Sequence, residues 1–329
     1  MAMTGNGLRL SAVICTHNRP DALRRALASL TAQDRAPDEL LVIDNAPSDE
    51  SARRLVAHDV PTACYVREPV AGLDFARNRA LREASGDVVA FLDDDAVADR
   101  GWTNALVQAF AQESKVGVVT GRVEPLALET EAQRLFHANG GFARGRERIC
   151  LPDDAARPLH GRRAPLIAWA VSVGSGCSLA IRRPLALALG GFDPALDLGP
   201  ALPGGGDHDM LWRVLEAGQR VVYDPGVLAW HDDRRELRDL AEQLGGHQRA
   251  LVALLTKLAA RTPGRRRLPV LAFLAWRLLK PGVRLARRTA GLDPLPARVL
   301  LRMWASCWQG LIAYPASQRL ARRRQEARP

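Results

Sequence analysis

The residues of this 329-residue chain that are best suited to chemistry are carboxylates at abrupt ends of apolar runs. Phe91-Leu92 runs straight into Asp93, Asp94 and Asp95. Three adjacent like charges raise one another's pKa unless a cation or hydrogen-bond donors compensate. Hard divalent ions such as Mg²⁺ or Mn²⁺ bind through one or two carboxylates plus diphosphate oxygens, so this cluster suits a metal that offsets a departing diphosphate. A solvated acidic turn with a helix cap would use the same letters. Asp44 closes a second apolar run, Glu39–Asp44, where a carboxylate can read a base or a ribose hydroxyl or simply close an Asx turn. Asp207-His208-Asp209 follows a Gly/Pro-rich loop over 197–206 and precedes a helical pattern. A carboxylate there can act as general base for an acceptor hydroxyl, or serve as the acidic first turn of a helix. Trp230-His231 ends the last strand-like run, and its imidazole is either a metal ligand or structural.

The elements that must carry these residues alternate. Residues 8–15 are apolar and end in the polar turn Thr16–Pro20, and Leu23, Ala26, Leu27 and Leu30 follow at helical spacing. A helix over about 48–57, a strand over 63–66, a helix over about 75–84 and a strand over 88–92 continue the pattern. This predicts an α/β fold with a mostly parallel sheet covered on both faces, where ligands sit at the carboxyl ends of strands. From Gly117 onward the alternation weakens, and 140–165 has the composition of a long surface loop. A small apolar stretch, 171–181, precedes the Gly/Pro-rich loop, a helix follows from Asp207 to Gly218, and strands are expected at 220–223 and 228–231. Beyond 231 the chain reads as helical and arginine-rich.

The net charge of +10 is unevenly distributed. Residues 232–329 hold 21 Lys and Arg against 7 Asp and Glu, whereas 1–231 hold 25 against 29. An acidic body with a basic end argues against a nucleic-acid partner and allows contact with an anionic membrane surface. Five scattered cysteines without C-x-x-C pairing predict a reducing compartment. The first residues lack the pattern of a secretory signal, and no run of ~18 uninterrupted apolar residues predicts a spanning helix. A cytoplasmic location, with peripheral attachment to the inner face of the membrane as an option, is the expectation.

Taken together, the segments resemble family 2 glycosyltransferases of the GT-A fold. SAVICTHNRPDALRRALASLTAQ looks like the family's first strand, nucleotide loop and helix, and ELLVIDNAPSDES like its second strand with the base-binding Asp. GLDFARNRALREASGDVVAFLDDDAVADRGW is similar to the stretch ending in the D-x-D metal motif. GSGCSLAIRRPLALALGGFDP resembles the sugar- and acceptor-facing segment, and GGGDHDMLWRVLEAGQRVVYDPGVLAWH the segment with the catalytic acid residue and final His. The resemblance covers roughly 8–257. It implies a nucleotide-sugar donor, with UDP-sugars commonest and GDP- and dTDP-sugars open, and Mn²⁺ or Mg²⁺ as the metal. By the same resemblance, Thr16 and Asp44 contact the nucleoside with Arg77 and Asn78 nearby. Asp93 reaches the ribose or diphosphate beside Asp94, while Asp95 and His231 attend the metal. Gly174–Gly176 let backbone approach the sugar, so that Gly176 belongs to the donor site. Asp207 deprotonates the acceptor in a single displacement with inversion, with Asp209 in reserve. The implied acceptor is a hydroxyl on a glycan, a lipid-linked sugar or a small molecule.

The family usually carries Glu-Asp where this chain has Gly206-Asp207, and the processive Gln-x-x-Arg-Trp signature is absent. The expected division is a catalytic unit at 1–231 (nucleotide half 1–125, acceptor half 126–231) and a basic helical region at 232–329. In that region the apolar runs 268–279 and 299–314, bordered by arginines, fit an interfacial helix, a subdomain packed on the catalytic unit, or a homodimer interface. Dinucleotide-binding and nucleotidyltransferase readings fail because Cys15–Arg19 is not a glycine-rich loop, and there is no P-loop. A catalytically degenerate domain that binds nucleotide-sugar or glycan, or scaffolds a membrane complex, is the alternative.

Overall fold

The computed structural model describes residues 7–142 and 144–327. The first half alternates as the pattern requires: β1 (Leu10–Thr16), α1 (Pro20–Thr31), β2 (Glu39–Asn45), α2 (Ser51–Asp59), β3 (Cys64–Glu68), α3 (Leu73–Glu83) and β4 (Val88–Asp93). Pro20 opens α1, where its missing N–H costs nothing, and Leu23, Ala26, Leu27 and Leu30 form the buried stripe. Strands β1 and β4 are apolar almost throughout because helices cover both faces of the sheet.

Next come β5 (Ala96–Ala98), α4 (Trp102–Ala111), β6 (Val116–Pro125), α5 (Glu131–Ala138), β7 (Ile149–Leu151), α6 (Leu166–Val173), β8 (Ser178–Arg182), α7 (Arg183–Ala188), α8 (Gly206–Glu216) and β9 (Arg220–His231). The sheet runs β3-β2-β1-β4-β8-β6-β9-β5, with β7 also on β9. It is parallel across β3-β2-β1-β4 and between β6 and β9, but β8 is antiparallel to both neighbours, and β5 and β7 are antiparallel to β9. The parallel expectation thus holds over the first half, and the whole sheet is mixed. The apolar stretch 171–181 divides between α6 and β8, with Gly174 as the α6 C-cap. The expected strands at 220–223 and 228–231 are one strand, β9, with a register shift opposite Gly121 and Arg122. Asp153–Ala156 forms a 3-10 turn within the segment expected as loop.

The basic end folds as α9 (Leu237–Arg261), α10 (Leu268–Thr289) and α11 (Ala297–Glu326). Helices α9 and α11 share one apolar core with Val70, Phe75, Leu196, Leu198 and Leu202 of the preceding chain. Lys257 of α9 is almost fully buried and pairs with Asp209 at 2.5 Å and Asp193 at 2.7 Å. The last hundred residues are therefore built into the α/β body. Helix α10 buries only Val270 and Pro281 completely.

Candidate active site

Register sets the donor side. In the parallel ladders Thr16 lies opposite Asp44, and Cys15 opposite Asp93, so three polar residues end adjacent strands at one edge of the sheet. Asp44 is 1% exposed; Tyr65 donates to its Oδ2 at 2.8 Å, while its Oδ1 is buried with no hydrogen-bond partner among the described residues. Burial raises the Asp44 pKa. A buried acceptor left unsatisfied is costly and fits a ligand N–H or O–H. Asn45, the next residue, accepts from Gly72 N–H and donates to Val70 O, which pins the entry to α3.

Asp93, Asp94 and Asp95 occupy the end of β4 and the turn into β5, and they diverge. Asp94 accepts from Thr16 Oγ1 at 2.8 Å and from Arg19 Nη1 at 3.1 Å. Arg19 also reaches Asp95 Oδ2 at 3.0 Å. Antiparallel pairing of β5 with β9 sets Ala96 opposite His231, which brings His231 Nε2 to 3.3 Å from Asp95 Oδ1. The other ring nitrogen, Nδ1, is 2.8 Å from Asp233. A carboxylate behind an imidazole orients it toward a third group, as around metal sites. Burial would lower the His231 pKa, but the bonds to Asp233 and Asp95 lift it to about 10. Burial would raise Asp95, yet His231 and then Arg19 bring it to about 2. Asp93 goes the other way: burial and the neighbouring Asp95 charge raise it to about 7. A cation would relieve that repulsion. Among the described residues no three His, Cys, Asp or Glu side chains converge into a ready-made metal cage. Asp93, Asp95 and His231 fit the open alternative, an ion resting on few protein ligands and on the diphosphate itself.

A second cluster forms around Arg77 on α3. Its guanidinium is 5% exposed, 3.0 Å from Asp74 and 3.4 Å from Asp197. Although burial opposes it, Asp197, Asp74, Asp207 and Asp93 together raise the Arg77 pKa. Asp207, in the first turn of α8, accepts from Gly176 N–H at 2.8 Å and from its neighbour's N–H at 2.7 Å. Against the burial that would raise it, His208 and then Arg77 hold the Asp207 carboxyl well below the usual range. Gly176 sits where a Cβ would come within 2.6 Å of Arg77 Nη2, so backbone alone fits between the cation and Asp207. A Cβ at Gly206 would run into the carboxylate of Asp74, and Asp74 Oδ2 is itself buried without a hydrogen-bond partner among the described residues.

Both clusters meet in one cleft of about 1660 Å³, lined by Asp93, Arg77, Gly176 and Asp207. Trp169 and Ser172 of α6, His247 of α9 and Trp276 and Lys280 of α10 complete its walls. Two expectations are corrected. Asn78 does not reach the nucleoside end: its amide donates to Phe192 O and accepts from Phe192 N–H, holding a loop instead. Asp209 is fully buried between Lys257 and Arg213, out of the cleft, and is no reserve base. Arg77 stands among the Asp207-side carboxylates rather than at Asp44. Sequence reasoning passed over Arg19, Asp74, Asp197 and Asp233. Arg19 lies within the polar turn after β1, but Asp74 and Asp197 carried no spacing signal.

The family model described as glycosyl transferase family 2 matches residues 11–189. The pre-mycofactocin glycosyltransferase of Mycobacterium tuberculosis is 28% identical over 287 residues, covering 84% of this chain. The chain spans about half of that relative, 54% of its length. The succinoglycan biosynthesis protein ExoM of Rhizobium meliloti is 28% identical over 232 residues, covering 68% of this chain and 66% of ExoM. Among solved structures, the mannosyltransferase PcManGT from Pyrobaculum calidifontis, in complex with GDP-Man and Mn²⁺, superposes with a TM-score of 0.57 at 21% identity. That match covers 96% of this chain and 87% of the mannosyltransferase. GalNAc-T7 with UDP, GalNAc and Mn²⁺ gives 0.51 at 17% identity, covering 88% and 59%. These two likenesses concern the fold.

Proposed function

The chain belongs to glycosyl transferase family 2, and from that premise we propose that it moves a sugar from a nucleoside diphosphate to an acceptor hydroxyl with inversion. The observation that carries this reading is that Asp93 and Asp207, from different clusters, line a single cleft. Asp44, with its unsatisfied Oδ1, takes the base, and Thr16 and Asp93 face the ribose and diphosphate. Asp95 and His231 would hold Mn²⁺ or Mg²⁺, whose role when bound is to neutralise charge on the leaving diphosphate. Arg19 neutralises Asp94 and Asp95 in the absence of ligand and is free to turn to phosphate when a cation replaces it. Asp207 lines the cleft and is aimed by two backbone N–H groups, which orient it to receive the acceptor proton. Attack by the deprotonated hydroxyl from the side opposite the leaving group gives inversion in one displacement.

The neighbours' ligands, GDP-Man and UDP with Mn²⁺, support a nucleotide-sugar donor and leave uridine and guanosine equally open. The acceptor is a glycan, a lipid-linked sugar or a small molecule. The degenerate-domain reading drew on Gly206 alone, and the space beside that glycine holds the Asp74 carboxylate. The test is thermal shift with UDP, GDP and dTDP, with and without Mn²⁺, on wild type and Asp95→Ala. A metal-dependent rise for one nucleotide, lost in the variant, is expected. No shift with any nucleotide would overturn the donor site.

A further inference from the structure

Helix α10 has two unlike sides, and the cleft explains only one. Lys280, Arg284 and Arg287 face the cleft with Phe273 and Trp276. On the solvent side Leu268, Leu271 and Leu279 lie within an arc of roughly 80° at 100° per residue, and Val283 and Trp276 extend it to roughly 140° at the rim of the cleft. They are large apolar residues left open: Leu268 is 56% exposed, Leu279 59% and Val283 47%. No Lys or Arg of α10 falls within that arc: Arg287 and Lys280 border it, and Arg277, Arg284 and Arg288 lie opposite. Between 264 and 290 there are eight Lys and Arg and no acid. Among the described residues Arg265, Arg266, Arg267, Lys280 and Arg287 form no ion pair with an acidic side chain.

Charge decides what covers this face. A second copy docking through the same patch would set one uncompensated basic surface against another, since a two-fold contact is self-complementary only for shape. An anionic lipid surface complements both features: acyl chains take the apolar arc, and headgroups take the flanking arginines. Among the described residues no helix is long and apolar enough to cross a membrane, so α10 lies along the interface. We propose that α10 docks this protein on an anionic bilayer, and that the cleft thereby opens at headgroup level, toward acceptors held in the lipid surface. The acceptor half of this inference rests on the cleft being the acceptor site; the docking half does not. Lys280 and Arg287 then stand where a lipid-linked acceptor carries its phosphate.

The test is co-sedimentation of the full chain with vesicles of phosphatidylcholine alone or mixed with phosphatidylglycerol. Binding to the mixed vesicles only, weakened by added salt, is expected. Replacing Arg265, Arg266 and Arg267 by Gln lowers the partition on the order of a hundred-fold. The double variant Leu271→Glu/Leu279→Glu changes exposed side chains that do not line the cleft. It is expected to lower vesicle binding about tenfold or more while keeping the wild-type nucleotide and Mn²⁺ thermal shift. Wild type that ignores anionic vesicles overturns the inference. So does vesicle binding unchanged in the double variant, accompanied in ultracentrifugation by conversion of a dimer to a monomer. Vesicle binding without any nucleotide shift would sink the donor reading and leave the docking standing.

Discussion

Arg77→Met removes the guanidinium that stands among Asp74, Asp197, Asp207 and Asp93. Asp74 is fully buried and Arg77 nearly so, at a separation of 3.0 Å. Deleting one partner of a buried pair leaves a charge with neither water nor counter-ion, typically at a cost of about 3–5 kcal/mol. The wild-type carboxyls are already displaced: burial, then Asp197, pushes Asp74 well above its usual range, and Asp93 stands at about 7. Arg77 opposes both displacements, so its removal carries them further upward. A carboxyl whose pKa is raised by folding contributes stability below its unfolded value near 3.8, and that contribution is lost as pH rises through the folded value. The deficit of Arg77→Met relative to wild type should therefore be largest near pH 7.5 and shrink by about 1 kcal/mol or more at pH 5, each pKa unit being worth about 1.4 kcal/mol. Urea denaturation followed by circular dichroism at the two pH values measures it. Arg77→Lys, which keeps the charge but not the planar fork, should lose less. A loss under about 1 kcal/mol, or an equal loss at both pH values, would refute the claim that Arg77 compensates these carboxylates.

Two further outcomes follow from the geometry. Gly206→Ala should destabilise by about 1–3 kcal/mol, because its Cβ meets Asp74, and should cost less in an Asp74→Ala background. A double-mutant cycle by denaturant midpoint reads that coupling, and strict additivity would exclude it. Burial, then Arg277 and Arg284, lowers the Lys280 pKa to about 8. The folded state then binds fewer protons than the unfolded chain between about pH 8 and 10.5, so its stability rises with pH through that window. Lys280→Met should accordingly stabilise by roughly 1–3 kcal/mol at pH 7, with the gain closing toward pH 10. A destabilised variant at pH 7 would show that Lys280 already has a compensating partner.

Much of the donor half was legible along the chain. An apolar run stopped by polar residues marks the carboxyl end of a strand, and β1, β2 and β4 each run one residue past the expected end, to Thr16, Asn45 and Asp93. The acceptor half was harder because its elements are short or reversed. Three residues of β5 or β7 are too few for a period to appear, and β8 gives no sign of running antiparallel. The basic end was read correctly as helical, yet three fates for its apolar runs were indistinguishable. Packing sets the two runs apart: α11 buries Val299, Met303, Cys307 and Tyr314, whereas α10 leaves its stripe exposed.

By itself the sequence determined residue type and local period, and through them the strand-end aspartates, the α/β frame and the imbalance of charge. Tertiary structure decided which charges meet. Asp74 and Asp197 are 123 residues apart, yet both pair with Arg77, while adjacent Asp93 and Asp95 are driven in opposite directions, to about 7 and about 2. A pKa, an ion pair or an unsatisfied oxygen depends on distance and burial in three dimensions, and neither quantity is carried by spacing along a chain.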